Sequence, residues 1–157
     1  MEQQKIFMKE AINLARDNVH KTNGGPFGAV VVKDGKIIGR GINQVTSTND
    51  PTAHAEIVAI REACTTLNTF NLEGCEIYSS CEPCPMCLGS IYWAGIEKLF
   101  YAATMDDAAK ADFKDSHIYD EFALPKEKRK IPTIQLMHED AIKIFDDWSS
   151  SEHKIPY

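Results

Sequence analysis

The sequence predicts one α/β domain with a central mixed sheet flanked by helices. Three observations carry that expectation. The 157 residues, 43% of them hydrophobic, suffice for a single core without a disulfide framework. β-branched runs alternate along the chain with stretches of helical period. The first two of these runs meet at Asp34-Gly35, a dipeptide suited to a tight hairpin turn.

Apolar residues at Phe7, Ala11, Leu14, Ala15 and Val19 set a helix over residues 3–20, stopped by Asn23-Gly24-Gly25-Pro26. Residues 29–32 and 37–39 are the first two strands. Residues 46–50 read as a polar loop, and Pro51-Thr52 leads into a second helix through Ile57, Ile60, Ala63, Cys64 and Leu67 that starts close to His54. Ile77-Tyr78 is a third strand, residues 81–85 a turn, and residues 86–94 a third helix with Pro85 suited to its first turn. A fourth strand follows over residues 98–102, then short helical pieces over 106–111 and 116–122 and a charged linker over 125–129. A fifth strand is expected over 133–137 and a last helix over 139–148. The hairpin then adds an antiparallel edge to an otherwise parallel sheet.

Charge narrows the partners. The chain has 17 Lys and Arg against 23 Asp and Glu, a net charge of −6, which opposes a broad basic face for nucleic acid or an anionic membrane. A small neutral substrate fits better. Residues 1–10 mix Glu2, Lys5 and Lys9 with apolar positions, unlike a signal peptide, and no window approaches the ~18 apolar residues of a membrane span. All five cysteines lie between Cys64 and Cys87, a pattern of thiols serving metals or chemistry in a reducing compartment. The expected location is the cytoplasm.

Two stretches carry chemistry: Pro51-Thr52-Ala53-His54-Ala55-Glu56 and Ser80-Cys81-Glu82-Pro83-Cys84-Pro85-Met86-Cys87, an H-x-E followed by P-C-x-x-C. Imidazole and thiolate suit Zn²⁺, and Cys84 and Cys87 at a helix start can reach one ion together. Residues two apart inside a helix diverge by about 200°, so His54 and Glu56 converge only at a helix end. Side chains lean toward a helix N-terminus, which puts such a site beyond the first turn of the second helix, facing the first turn of the third. Two thiolates, a neutral imidazole and Zn²⁺ sum to zero charge, so this metal acidifies water weakly and a nearby base, Glu56, is needed to move protons. A second reading is a closed Cys3His site in which Cys81 joins His54, Cys84 and Cys87 and no catalysis follows. The run also resembles the start of an iron–sulfur motif, but Ile91 stands where its next cysteine is expected.

H-x-E with P-C-x-x-C is the signature of zinc nucleobase deaminases. With Gly25-Pro26-Phe27-Gly28-Ala29 and Asn49-Asp50-Pro51 before it and Leu88-Gly89-Ser90-Ile91-Tyr92-Trp93-Ala94 after it, the chain resembles the cytidine deaminase superfamily over nearly its whole length. Within that superfamily it looks like the small bacterial guanine deaminases. The resemblance implies a cytidine deaminase-like three-layer α/β/α sandwich around a five-stranded mixed sheet, spanning 1–157 as one domain. It implies one zinc per subunit held by His54, Cys84 and Cys87, with Glu56 as proton shuttle to a zinc-activated hydroxide that converts guanine to xanthine and ammonia in purine catabolism. Asn43 is implied as a hydrogen-bonding partner of the base, Phe27 and Trp93 as an aromatic sandwich, and Asp115 as a second carboxylate near the departing amino group. Taken alone, Asn43 also reads as a turn former, Phe27 and Trp93 as core, and Asp115 as a helix N-cap. A homodimer that exchanges residues 139–157 is implied too, with Tyr157 capping the partner's site; the alternative is a frayed tail. Open competitors for the substrate are guanosine, cytidine and adenosine in tRNA.

Overall fold

The computed structural model describes residues 1–22 and 24–157, so the Asn23 part of the expected helix stop lies outside the described residues. Two compact units form, Met1–Ser116 and His117–Tyr157.

The first unit begins with α1 (Glu2–His20), whose Phe7, Ala11 and Ala15 are buried. β1 (Gly28–Lys33) and β2 (Lys36–Ile42) pair antiparallel through a turn at which Asp34 and Gly35 take φ of 49° and 72°, as the hairpin dipeptide requires. A short α2 (Val45–Thr48) occupies most of the segment read as a polar loop. α3 (Ala55–Leu67) starts one residue after His54, its N-cap. β3 (Cys75–Cys81) then leads to α4 (Pro85–Trp93), with Cys84 as N-cap and Pro85 at the first helical position. β4 (Lys98–Ala103) and α5 (Met105–Lys110) follow, the latter opened by a reciprocal Thr104–Asp107 capping box.

The sheet order is β2-β1-β3-β4; β1 runs antiparallel to both β2 and β3, and only β3 and β4 are parallel. The sheet is therefore mixed, as expected, with less parallel pairing than the alternation suggested. Strand alternation splits the core into two faces. Val30, Val32 and Tyr78 meet Phe7 on one side; Ala29, Val31 and Ile77 meet Ala55, Ala59, Ala63 and Ile91 on the other. Helices thus cover both faces, giving the three α/β/α layers.

β2 and α3 approach closely because both present small residues. A Cβ at Gly41 would run into the Ala55 carbonyl oxygen and lie 2.6 Å from the Ala59 nitrogen. That approach sets the start of α3, and so His54 and Glu56, over the end of β2. Gly41→Ala is expected to lower stability by about 1–3 kcal/mol through overpacking against backbone. Thermal unfolding of the variant checks this, and an unchanged Tm would show that α3 can shift freely.

The second unit holds α6 (Ser116–Ala123), which begins at the boundary residue, a 3-10 turn (Lys126–Lys128) in the expected linker, and α7 (His138–Ser150). The fifth strand expected over 133–137 is absent, and the sheet has four strands. The segment Thr133-Ile134-Gln135-Leu136-Met137 does alternate, but a strand needs a ladder partner, and residues 117–157 contain no other strand among those described. Ile134 and Leu136 are exposed, as are Ile144, Phe145 and Trp148 of α7. Among the described residues no helix is long and apolar enough to cross a membrane.

Candidate active site

The site lies where the N-termini of α3 and α4 face each other beyond the ends of β2 and β3. His54 Nδ1 is 3.5 Å from Cys84 Sγ and 3.5 Å from Cys87 Sγ. These three are the one metal-ligating group of His, Cys, Asp and Glu side chains among the described residues, with donor atoms all within 4.8 Å of one another. A tetrahedral zinc with Zn–S of about 2.3 Å and Zn–N of about 2.05 Å places sulfur and nitrogen about 3.6 Å apart, so the donor set fits that ion. The two helix N-termini favour the anionic thiolates. Cys84 is pulled down to about 4 because it accepts a hydrogen bond from the Cys87 thiol and is approached by His54. Cys87, as the donor in that pair and buried, is pushed up.

Cys81 stands apart from this group. Its thiol donates to the Thr104 carbonyl at 3.6 Å, and burial pushes it up to about 11, so it remains a neutral thiol at the end of β3. The trio accordingly has an open fourth position, the arrangement of catalytic rather than structural zinc sites.

Glu56, in the first turn of α3, is buried beside the trio. The Ser79 hydroxyl donates to its Oε1 at 3.0 Å, and burial raises its affinity for a proton. A carboxyl so placed is suited to shuttle protons. Ser79 escaped the sequence reading because no motif marks it; strand alternation about the site would have been its only signal.

A cavity of about 410 Å³ opens beside these groups, within the range of small-molecule sites. Phe27, Asn43, His54, Glu56, Cys84 and Asp115 all line it, so six expected residues converge from segments far apart in sequence. Phe113 also lines it, its ring edge-on to Phe27 at 4.8 Å. It was overlooked as the neighbour of Asp115, although an aromatic between charged residues is a visible signal. Trp93 lies outside this lining: it ends α4 and is 75% exposed. Eight residues past the start of a helix is about 12 Å along its axis, too far for Trp93 to return to the first turn. The Phe27–Trp93 sandwich is therefore not assembled, and Phe113 is the ring that meets Phe27. Tyr157 is the exposed last residue of the second unit.

Trio, buried carboxyl and cavity together have the form of a zinc-hydrolase site for a small molecule. The chain belongs to the cytidine and deoxycytidylate deaminase zinc-binding family, whose model matches residues 1–103. It is 52% identical over 153 residues to the guanine deaminase of Bacillus subtilis, covering 98% of each chain. The crystal structure of a guanine deaminase from that organism superposes with a TM-score of 0.95 at 51% identity over 98% of both chains. A tRNA-specific adenosine deaminase of Aquifex aeolicus is 46% identical over 99 residues, 63% of this chain and 65% of the other. A solved guanine deaminase from Nitrosomonas europaea superposes with a TM-score of 0.66 at 35% identity, over 69% of this chain and 63% of that one.

Proposed function

We propose that the protein is a zinc-dependent aminohydrolase that converts guanine and water to xanthine and ammonia. The observation that carries this reading is the likeness to a guanine deaminase along the whole chain, whereas the likeness to the Aquifex tRNA deaminase covers less than two thirds of it.

His54, Cys84 and Cys87 hold the metal. When bound, zinc supplies Lewis acidity that makes water nucleophilic near neutral pH. Glu56 would take one proton from the attacking water and pass it to the ring nitrogen, then take the second from the hydroxyl now on the attacked carbon and pass it to the amino group, which leaves as ammonia as the carbonyl forms. Ser79 holds the Oε1 end of that carboxyl in place. Phe27 and Phe113 supply apolar walls for the ring, Asn43 a donor, and Asp115 an acceptor for the N–H and amino groups that guanine presents.

Ammonia release by the zinc-loaded protein on guanine, guanosine, adenine, cytosine and cytidine tests the reading. Guanine is expected to exceed the rest by at least an order of magnitude; preference for a nucleoside would overturn the substrate, and inactivity on all would turn attention to tRNA.

The active protein is further read as a cytoplasmic homodimer exchanging its C-terminal segment, with Tyr157 over the partner's cavity. None of the described residues 117–157 is buried, and the apolar side chains of α7 need cover. β4 is an edge strand of the sheet among the described residues, with Tyr101 exposed on it. A dimer mass in solution and a raised KM on deleting residues 155–157 are expected; a monomer with unchanged kinetics would leave the tail without a role.

A further inference from the structure

We propose that Asn18, on α1 and outside both metal-binding motifs, is a positioning residue for base recognition that acts through Asn43. The inference rests on the guanine reading above.

Asn18 is 1% exposed, and its Nδ2 donates to two backbone carbonyls, Gly25 O at 2.8 Å and Asn43 O at 2.9 Å. The Gly25 N–H donates in turn to Asn43 Oδ1 at 3.2 Å, and the Val45 N–H donates to the same oxygen at 3.3 Å. Asn43 N–H donates to the Phe27 carbonyl at 3.1 Å. Asn18, Gly25 and Asn43 therefore close a ring of hydrogen bonds that ties helix α1, the loop entering β1 and the end of β2 to one another; Gly25 and Asn43 line the cavity, as does Phe27, which is bonded to the ring through Asn43.

This ring decides what Asn43 offers a substrate. A carboxamide can present either its oxygen or its amino group. With Oδ1 committed to two backbone donors, the amino group is the end left for a ligand, so Asn43 serves as a hydrogen-bond donor. A 6-oxopurine meets that donor with its carbonyl oxygen or with an unprotonated ring nitrogen. Gly24 completes the fit, since a Cβ there would collide with the Asn43 carbonyl and crowd Oδ1 at 2.9 Å.

Asn18 is not optimised for stability alone. Its own Oδ1 is buried and has no hydrogen-bond partner among the described residues, an arrangement that costs free energy. The amide is placed for what its amino group holds. Without it, the Gly25 and Asn43 carbonyls lose their shared donor, and the loop carrying Phe27 can drift relative to Asn43.

The test is a double-mutant cycle on the zinc-loaded protein with guanine as substrate: wild type, Asn18→Ala, Asn43→Ala and the double variant, each with its zinc content and Tm. Asn18→Ala is expected to raise KM about tenfold with kcat within about threefold and zinc retained, as misplacement of a binding group does. In the Asn43→Ala background the same change is expected to alter KM less than twofold. A fall in Tm with KM unchanged, or effects that add across the cycle, would overturn the positioning role and leave Asn18 as a packing residue. Should Asn18→Ala fail to fold, Asn18→Ser keeps one donor in a smaller side chain and is read by the same criteria. If the wild type acts on another base or nucleoside, the guanine reading fails by itself, and the cycle is read on that substrate.

Discussion

Glu56→Gln is expected to keep about one zinc per chain and the native fold while lowering kcat by about 10²–10⁴, the usual worth of a positioned general acid–base. Glutamine has nearly the same shape and still offers Ser79 an oxygen to donate to, so what is removed is the capacity to accept and return a proton. Stability moves the other way. A carboxyl that is 5% exposed, with Ser79 as its hydroxyl donor, is costly to bury in ionised form, so the variant should unfold at the same or a higher temperature. Steady-state ammonia release, metal analysis and thermal unfolding on one preparation decide the matter; turnover at the wild-type level would remove Glu56 from the chemistry. Ser79→Ala is the graded counterpart, expected to cost about tenfold because the carboxyl remains but one end is no longer held.

Removal of the metal has the second large effect. Chelation, or Cys84→Ser, is expected to abolish measurable turnover and to lower Tm, since an ion that binds only the folded state contributes about 2.7 kcal/mol at a hundredfold excess over its Kd. The apoprotein should nevertheless stay folded. The two cores, around Val31 and Ile77 on one face of the sheet and Val30 and Tyr78 on the other, include no metal ligand. Cys81→Ser should retain zinc and activity, because that thiol faces the Thr104 carbonyl rather than the His54–Cys84–Cys87 trio. Metal content falling as far in Cys81→Ser as in Cys84→Ser would establish a closed four-ligand site. Unfolding on chelation would point to a structural module.

Residues close in sequence and constrained by local rules were legible at once. The Asp34-Gly35 hairpin, the helices entered at His54 and at Cys84-Pro85, and the metal trio follow from turn chemistry, capping positions and ligand spacing, each decided within a few residues. The fifth strand failed for the opposite reason. Residues 133–137 alternate convincingly, but alternation states only that a segment could lie on a sheet, and whether it does depends on a ladder partner supplied from elsewhere. Trp93, expected to face Phe27 across the base, ends α4 instead, about 12 Å along the axis from the first turn, a distance that a sequence motif does not state.

The sequence by itself thus determined the layered α/β class and the His54–Cys84–Cys87 trio able to hold a metal, and it singled out Glu56 beside them, because local geometry and donor chemistry leave those residues few alternatives. Only the tertiary structure decided that Phe113 meets Phe27, that Ser79 holds Glu56, and that Asn18 donates to the backbone carbonyl of Asn43. Each of these joins residues 23 to 86 positions apart, with no motif spanning the gap. Contacts of that range are set by how closely whole elements approach, as where Gly41 admits the backbone of α3, and such approach distances are not written in any local pattern.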